Sequence, residues 1–529
     1  MSIEGVVKMD NGNGTLIAVD SHQNGLKDGN TKGTIKPLET DSEKKERTAS
    51  LVIVYFTLFL QSLGLAITMT GVWPFLDKLD PEAGKNFFSF VVAANPLGQF
   101  LLSPVLGYWQ NKVPSIRIPI ISSLVLFCVS SGLYSSLNLV GGGVKYWMLF
   151  IRLFMGAASA NIAVCRSYIS AATKLDERTF ALSMASLAQV GGFIFGPLLQ
   201  YAFTHLGGGV KIFNYFPLNM YTAPGWVNVL LGLINMVFYL PRFFKDHHIA
   251  VREQMVLQGK ENAKETWKST RIDFLLVFSL IFAYFIVTFN LVILESLGTP
   301  LTMDQFAFTK KETLKWNSIL IGVGAGISCL IFCALPRICK ILKEIDILIW
   351  GGLLMMAVGK FVYIPFRDDI PQNVVAYERN FTMPNGTNVF LEEDDPWLLG
   401  CPADKQPWCQ WTPRLGIPEF VVGYFMGVIG YPVGVTLIQT LFSKILGARP
   451  QGTWMGIMVA TGSVSRIVGP IIILGGYTNF GTVWTFSFTT VFMLIPMLWL
   501  YFLRNRIVDN SAKPTDDVPL TETPSAQLP

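Results

Sequence analysis

Residues 177–197 read ERTFALSMASLAQVGGFIFGP, and residues 450–470 read PQGTWMGIMVATGSVSRIVGP. Each opens on polar residues, runs on through apolar and small ones, and closes on Gly-Pro. The two pairs, Gly196-Pro197 and Gly469-Pro470, lie 273 residues apart. A second pair, WPFL around Pro74 and TPLT around Pro300, lies 226 apart. The difference of 47 is close to the length of one long polar loop at 367–415. The chain therefore reads as two copies of one unit, with a large insertion in the second.

What the unit is follows from composition. Of 529 residues, 51% are hydrophobic and only 15% are charged, and mean hydropathy is +0.44. An ordinary soluble domain carries about 25% charge. This balance excludes a soluble enzyme, a disordered protein and a disulfide-rich secreted scaffold. A membrane helix needs about 20 mostly apolar residues. Twelve such segments are expected, at 50–74, 87–108, 117–140, 146–170, 179–204, 224–245, 272–297, 317–337, 346–366, 416–440, 452–476 and 482–503. They are too long and too continuously apolar for the alternating strands of a membrane β-barrel. The fold class is an all-α polytopic membrane protein. Its units are a bundle over 50–245, a basic linker over 246–271, and a second bundle over 272–503 that contains the loop 367–415. The ends, 1–49 and 504–529, are polar and read as disordered tails. No signal peptide opens the chain, so the first apolar segment is expected to direct insertion.

Charge sets the orientation. The loops after the even-numbered segments are basic, with Lys112 and Arg117, Lys174 and Arg178, Arg337 and Lys340, and Lys444 and Arg449. The end of the sixth segment and the linker after it add Arg242, Lys245, Arg252, Lys260, Lys264, Lys268 and Arg271. The positive-inside rule puts this face and both termini in the cytosol. The loop 367–415 then faces outward or into a lumen, where its two sequons, at Asn380 and Asn385, are open to glycosylation. Asn13 heads a third sequon on the cytosolic side, which should stay unused. Cys401 and Cys409 share the oxidising face and are expected to form a disulfide. Two free thiols or a metal pair are the alternatives.

Parallel six-helix repeats characterise the two halves of major facilitator transporters, and several motifs resemble that superfamily. RLFMGAASAN from Arg152 resembles its R-x-x-x-G pattern, and GFIFGP at 192–197 resembles the G-x-x-x-G-P of its antiporters. Gly192, Gly196 and Pro197, with Gly469 and Pro470 in the other half, read as packing and hinge positions. The turn GYWQNK at 107–112 departs from the family pattern, with Asn111 and Lys112 where Asp and Arg are usual. Ala172 stands where many drug:proton antiporters carry an acid.

A more specific resemblance is to the lysosomal family of major facilitator domain-containing protein 8, the neuronal ceroid lipofuscinosis 7 family. It rests on RSYISAATKLDERT at 166–179, LNMYTAPG at 218–225, PLTMDQFAFT from Pro300, GCPADKQPWCQWTP at 400–413 and YPVGVTLIQTLFSKILGARPQGTWMG at 431–456. The resemblance implies a lysosomal or late endosomal membrane and a small anionic solute, chloride included. Neither tail carries an acidic dileucine sorting signal, so the plasma membrane remains an alternative.

Four charged residues are candidates for substrate binding or gating, because charge at membrane depth is costly. Arg466 lies mid-segment in GSVSRIVGP and suits an anionic substrate. Its alternative is an arginine locked between helices. Arg166 either faces the cavity or snorkels to the interface. Arg152 reads first as structural or gating. Glu295 is a candidate proton carrier, with an interfacial carboxylate as its alternative. Lys360 and Glu419 are expected at the interface. No nucleotide-binding motif and no hydrolytic or metal constellation is present, so neither an enzyme nor a cofactor is expected. The expected partners are the bilayer and one small solute, moved by alternating access. An anion channel and a non-transporting scaffold are the competing readings.

Overall fold

The computed structural model describes residues 38–69, 71–140, 142–205, 210–212, 216–258, 272–366, 368–375, 380–382, 388–391 and 395–511. Ten runs of helix are long and apolar enough to cross a membrane. One of them, Gly452–Phe502, is two helices meeting at Gly481, whose φ of 83° no β-carbon-bearing residue adopts readily. The shorter apolar helix Ala223–Phe238 completes a set of twelve spans among the described residues.

In order they are Asp41–Met69, Gly84–Lys112, Arg117–Ser135, Val144–Ala171 (with a break at 159–160), Arg178–Thr204, Ala223–Phe238, Phe274–Phe306, Lys310–Ile338, Glu344–Val362, Ile417–Leu446, and the two parts of Gly452–Phe502. The chain alternates between two faces. One, the terminal face, carries the start of the first span and the end of the twelfth. Large side chains such as Phe150, Leu330, Ile471 and Phe502 stand exposed around the bundle. Such a belt is stable only in lipid.

The two halves repeat one packing. In the first, Gly192 and Gly196 seat the fifth span on the first: a β-carbon at Gly192 would stand 2.4 Å from the Phe59 carbonyl oxygen. In the second, Gly469 seats the eleventh span on Val292 of the seventh. Pro197 and Pro470 lie inside their helices directly after these contacts.

Helix ends depart from the sequence-based expectations, each for a local reason. The first span starts at Asp41, inside the tail expected over 1–49. Thr40 and Glu43 cap one another's backbone N–H, and Arg47 is buried in ion pairs to Glu39 and Glu177, both at 2.8 Å. Expected to reach 245, the sixth span instead stops at Phe238, ahead of Pro241, and Phe244 folds back into the core. The seventh continues past 297 to Phe306, because Leu301 and Gln305 are buried. The ninth contains a π-helical stretch, Ile347–Leu354. Residues 504–511, expected to be disordered, form the helix Arg504–Ser511, tied by Arg504 to Asp346 at 3.0 Å and by Arg506 to Asp273 at 2.5 Å.

The linker also holds structure. Its helix Ile249–Leu257 bridges the halves: Glu253 accepts from the backbone of Leu175, and Gln254 accepts from that of Ala448. The basic residues at 260–271 lie outside the described residues. In the insertion, a two-stranded hairpin pairs Asn380–Thr382 with Asn388–Phe390. A disulfide joins Cys401 and Cys409, and Trp408 is buried against Tyr477 with its indole N–H on the Thr478 carbonyl. Asn380 opens the first strand, while Asn13 and Asn385 lie outside the described residues.

Candidate substrate cavity

Between the halves lies a cavity of about 460 Å³. The first half lines it with Gln99, Arg166, Ser186, Gln189 and Phe193, and the second with Tyr284, Glu295, Lys360, Tyr431 and Arg466, among others. The lining runs from the middle of the spans toward the face opposite the termini, since Lys360 belongs to the last turn of the ninth span.

Arg166 is buried on the fourth span, and its guanidinium turns toward the space between the halves rather than to the interface. It donates to Gln189 at 2.7 Å and, across the divide, to the Tyr284 hydroxyl at 3.3 Å. Arg466 enters from the eleventh span three residues before Gly469, whose contact with Val292 fixes that span against the seventh. Glu295, on the seventh span, is exposed to the cavity, and Arg466 is the charged group that acts on it. The Tyr431 hydroxyl, on the tenth span, lies within electrostatic reach of Tyr284, Arg166, Arg466 and Glu295. Three cations and one carboxylate therefore line the space, and its field favours an anion.

Arg152 is elsewhere. It is 1% exposed in the first half, donating weakly to Thr68 at 3.5 Å, and it does not line the cavity. Lys360, expected at the interface, is 3% exposed and faces the cavity beside the Tyr363 ring at 5.4 Å. Its depth was hidden because helix ends are the least legible feature of a sequence. The one available signal is its spacing of four from Met356, which shares the same wall. Glu419 is half-buried at the start of the tenth span and is not part of the lining.

Below the cavity the terminal face is closed. Gly107 meets Gly452 backbone to backbone: a β-carbon on Gly107 would stand 2.1 Å from the Gly452 carbonyl oxygen. Asn111 accepts from the Gly452 N–H and donates to Thr453, both at 2.9 Å, so it caps the eleventh span from the other half. Arg178 donates to the Ser443 carbonyl at 3.2 Å, and Thr179 bonds Glu344, which also holds Lys444. Deeper in, Ser463 donates to Gln99 at 2.8 Å. Among the described residues no cluster of His, Cys, Asp and Glu suits a metal ion.

Comparison with known proteins agrees with this geometry. The sequence pattern of the Major Facilitator Superfamily matches residues 54–368. Major facilitator superfamily domain-containing protein 8 of Xenopus laevis is 33% identical over 492 residues, covering 90% of this chain and 95% of the relative. Among solved structures, the human organic anion transporter MFSD10 superposes with a TM-score of 0.58 at 15% identity, covering 86% of this chain and 99% of that one. FucP, a major facilitator transporter in its outward conformation, superposes at 0.61 and 9% identity, over 86% and 99%. At these identities the two structures share a fold with this chain.

Proposed function

The chain belongs to the major facilitator superfamily, and from that membership we propose that it carries a small anionic solute across an endolysosomal membrane by alternating access. The observation that carries the proposal is that Arg166 and Arg466, one from each half, line the same cavity within electrostatic reach of Tyr431. An anion held between them touches both bundles at once. Binding then favours the arrangement in which the bundles close on it, which is how a ligand shifts a two-state equilibrium.

Glu295 is proposed as the coupling group. It shares the cavity with Arg466, so protonating Glu295 raises the net positive field that an incoming anion meets. Proton and anion would then load together. The closed terminal face and the cavity on the opposite side correspond to a lumen-facing state, with both termini cytosolic. The basic loops support that topology, as do the sequons of the insertion. The proposed units are the bundles 50–245 and 272–503. The 33% identity to the Xenopus relative supports placing this chain in the same branch of the superfamily. The fold is shared with MFSD10, an organic anion transporter, and the solute class is argued from the cavity's charges.

The test is uptake of labelled anions, chloride and organic, into proteoliposomes of the purified protein with and without an imposed pH gradient. We expect saturable uptake that rises when the loading side is acidified. Non-saturable current independent of the gradient would replace the carrier with a channel. No anion movement by folded protein would remove the anion reading.

A further inference from the structure

Lys360 stands apart from the other charged groups of the cavity. Arg166 is bonded to Gln189 and Tyr284, and Arg466 has Glu295 as its charged neighbour. The ammonium of Lys360 is buried, faces the cavity and has no hydrogen-bond partner among the described residues. No charged side chain among those residues acts on it. The ammonium lies beside the Tyr363 ring, and Met356, one turn earlier on the same span, also lines the cavity. A cation removed from water with no counter-charge is costly, which is why removing one partner of a buried ion pair is strongly destabilising. An ammonium buried in the wall of a cavity is satisfied when a small movement of its side chain meets something negative in that cavity.

The cavity thus has two cationic stations. One is Arg166 and Arg466, both within electrostatic reach of Tyr431. The other is Lys360, toward the face opposite the termini, in a lining that is mostly apolar. We infer that Lys360 is a second anion subsite, and that the solute carries two acidic groups joined by an apolar segment. This inference rests on the anion-transport reading above and narrows its substrate class. A single small anion occupies one station and leaves the other unanswered. An elongated dianion answers both and places its apolar body against the walls between.

The probes are α,ω-dicarboxylates from butanedioate to decanedioate, each compared with the monocarboxylate of equal length, binding to the purified full-length protein by calorimetry. A dianion whose length spans the stations should bind about tenfold or more tightly than its monoanion, the gain of one charge-assisted hydrogen bond. In Lys360→Met, which keeps length and apolar volume, that ratio should fall to near one. In Lys360→Arg it should persist, which shows that charge rather than packing carries it. Equal binding of the two ligand classes by the wild type, or a ratio unchanged in Lys360→Met, would overturn the subsite and leave the anion reading in place. Loss of both classes in Lys360→Met, with Lys360→Arg retaining both, would make Lys360 the sole anchor and overturn the two-station scheme. Binding of neither class by the wild type would remove the anion reading and the subsite with it.

Discussion

Arg152 and Arg466 are both arginines within apolar segments, yet their surroundings assign them different work. Arg152 is enclosed by its own half, near Tyr134 and Thr68. Arg466 reaches the space between the halves. The sequence marks both as costly but does not say which helical face each occupies. That depends on which neighbour each span packs against, a property of pairs rather than of segments. Lys360 was missed for a different reason, its place in the last turn of a span, where sequence reads depth least well. Two expectations follow at this scale. Glu295→Gln removes a titratable carboxylate without removing its bulk. Anion uptake should persist in that variant while acidification of the loading side no longer accelerates it, measured as uptake against pH. Asn111→Ala removes the cap on the eleventh span, which costs about 1 kcal/mol. That is a roughly fivefold shift away from the closed terminal face, if the cap is made only in that state. Labelling of Ser186→Cys by an impermeant thiol reagent applied from the terminal side should rise accordingly.

The elements follow small residues and covalent staples. The Gly-Pro repeat was legible because close helix packing favours glycine, against backbone at Gly192 and against the Val292 side chain at Gly469. Helix ends were less legible, because they are set by caps, ion pairs and docking loops. Thr40, Arg47 and Gln305 each extend a helix beyond its apolar stretch. Gly192→Val should force the fifth span off the first, since even a β-carbon would lie 2.4 Å from the Phe59 carbonyl oxygen. We expect that variant to lose thermal stability or fail to accumulate, while Gly475→Ala, where a β-carbon meets nothing within 4 Å, should not. The Cys401–Cys409 bridge closes a short loop. Cys409→Ser should cost about 2–3 kcal/mol in the stability of the docked insertion, on the chain-entropy view. Faster proteolysis of the insertion, with the spans intact, is the readout.

At the scale of the whole molecule, twelve spans in two halves, a cavity between them and one closed face are what the proposed alternating access requires of one of its two states. Its closed face is built from backbone contact at Gly107–Gly452, the Asn111 cap and the Arg178 and Thr179 bonds. No acid–arginine pair occupies the turn at 107–112. Architecture was legible because hydropathy and internal repetition are whole-chain properties. The cavity's residues were legible only in part, since its walls draw on spans far apart in the chain. If both termini are cytosolic, Asn380→Gln and Asn385→Gln should each remove one glycan step on a gel, and Asn13→Gln should remove none. The most direct measurement is simultaneous anion and proton uptake into proteoliposomes, comparing the wild type with Arg466→Gln at equal amounts of folded protein. We expect the wild type to move both together and the variant to lose at least about tenfold in anion uptake, the loss of a charge-assisted contact in a dry site. Normal anion uptake by Arg466→Gln would contradict the account, because the solute would then cross without the cation on which the cavity's field depends.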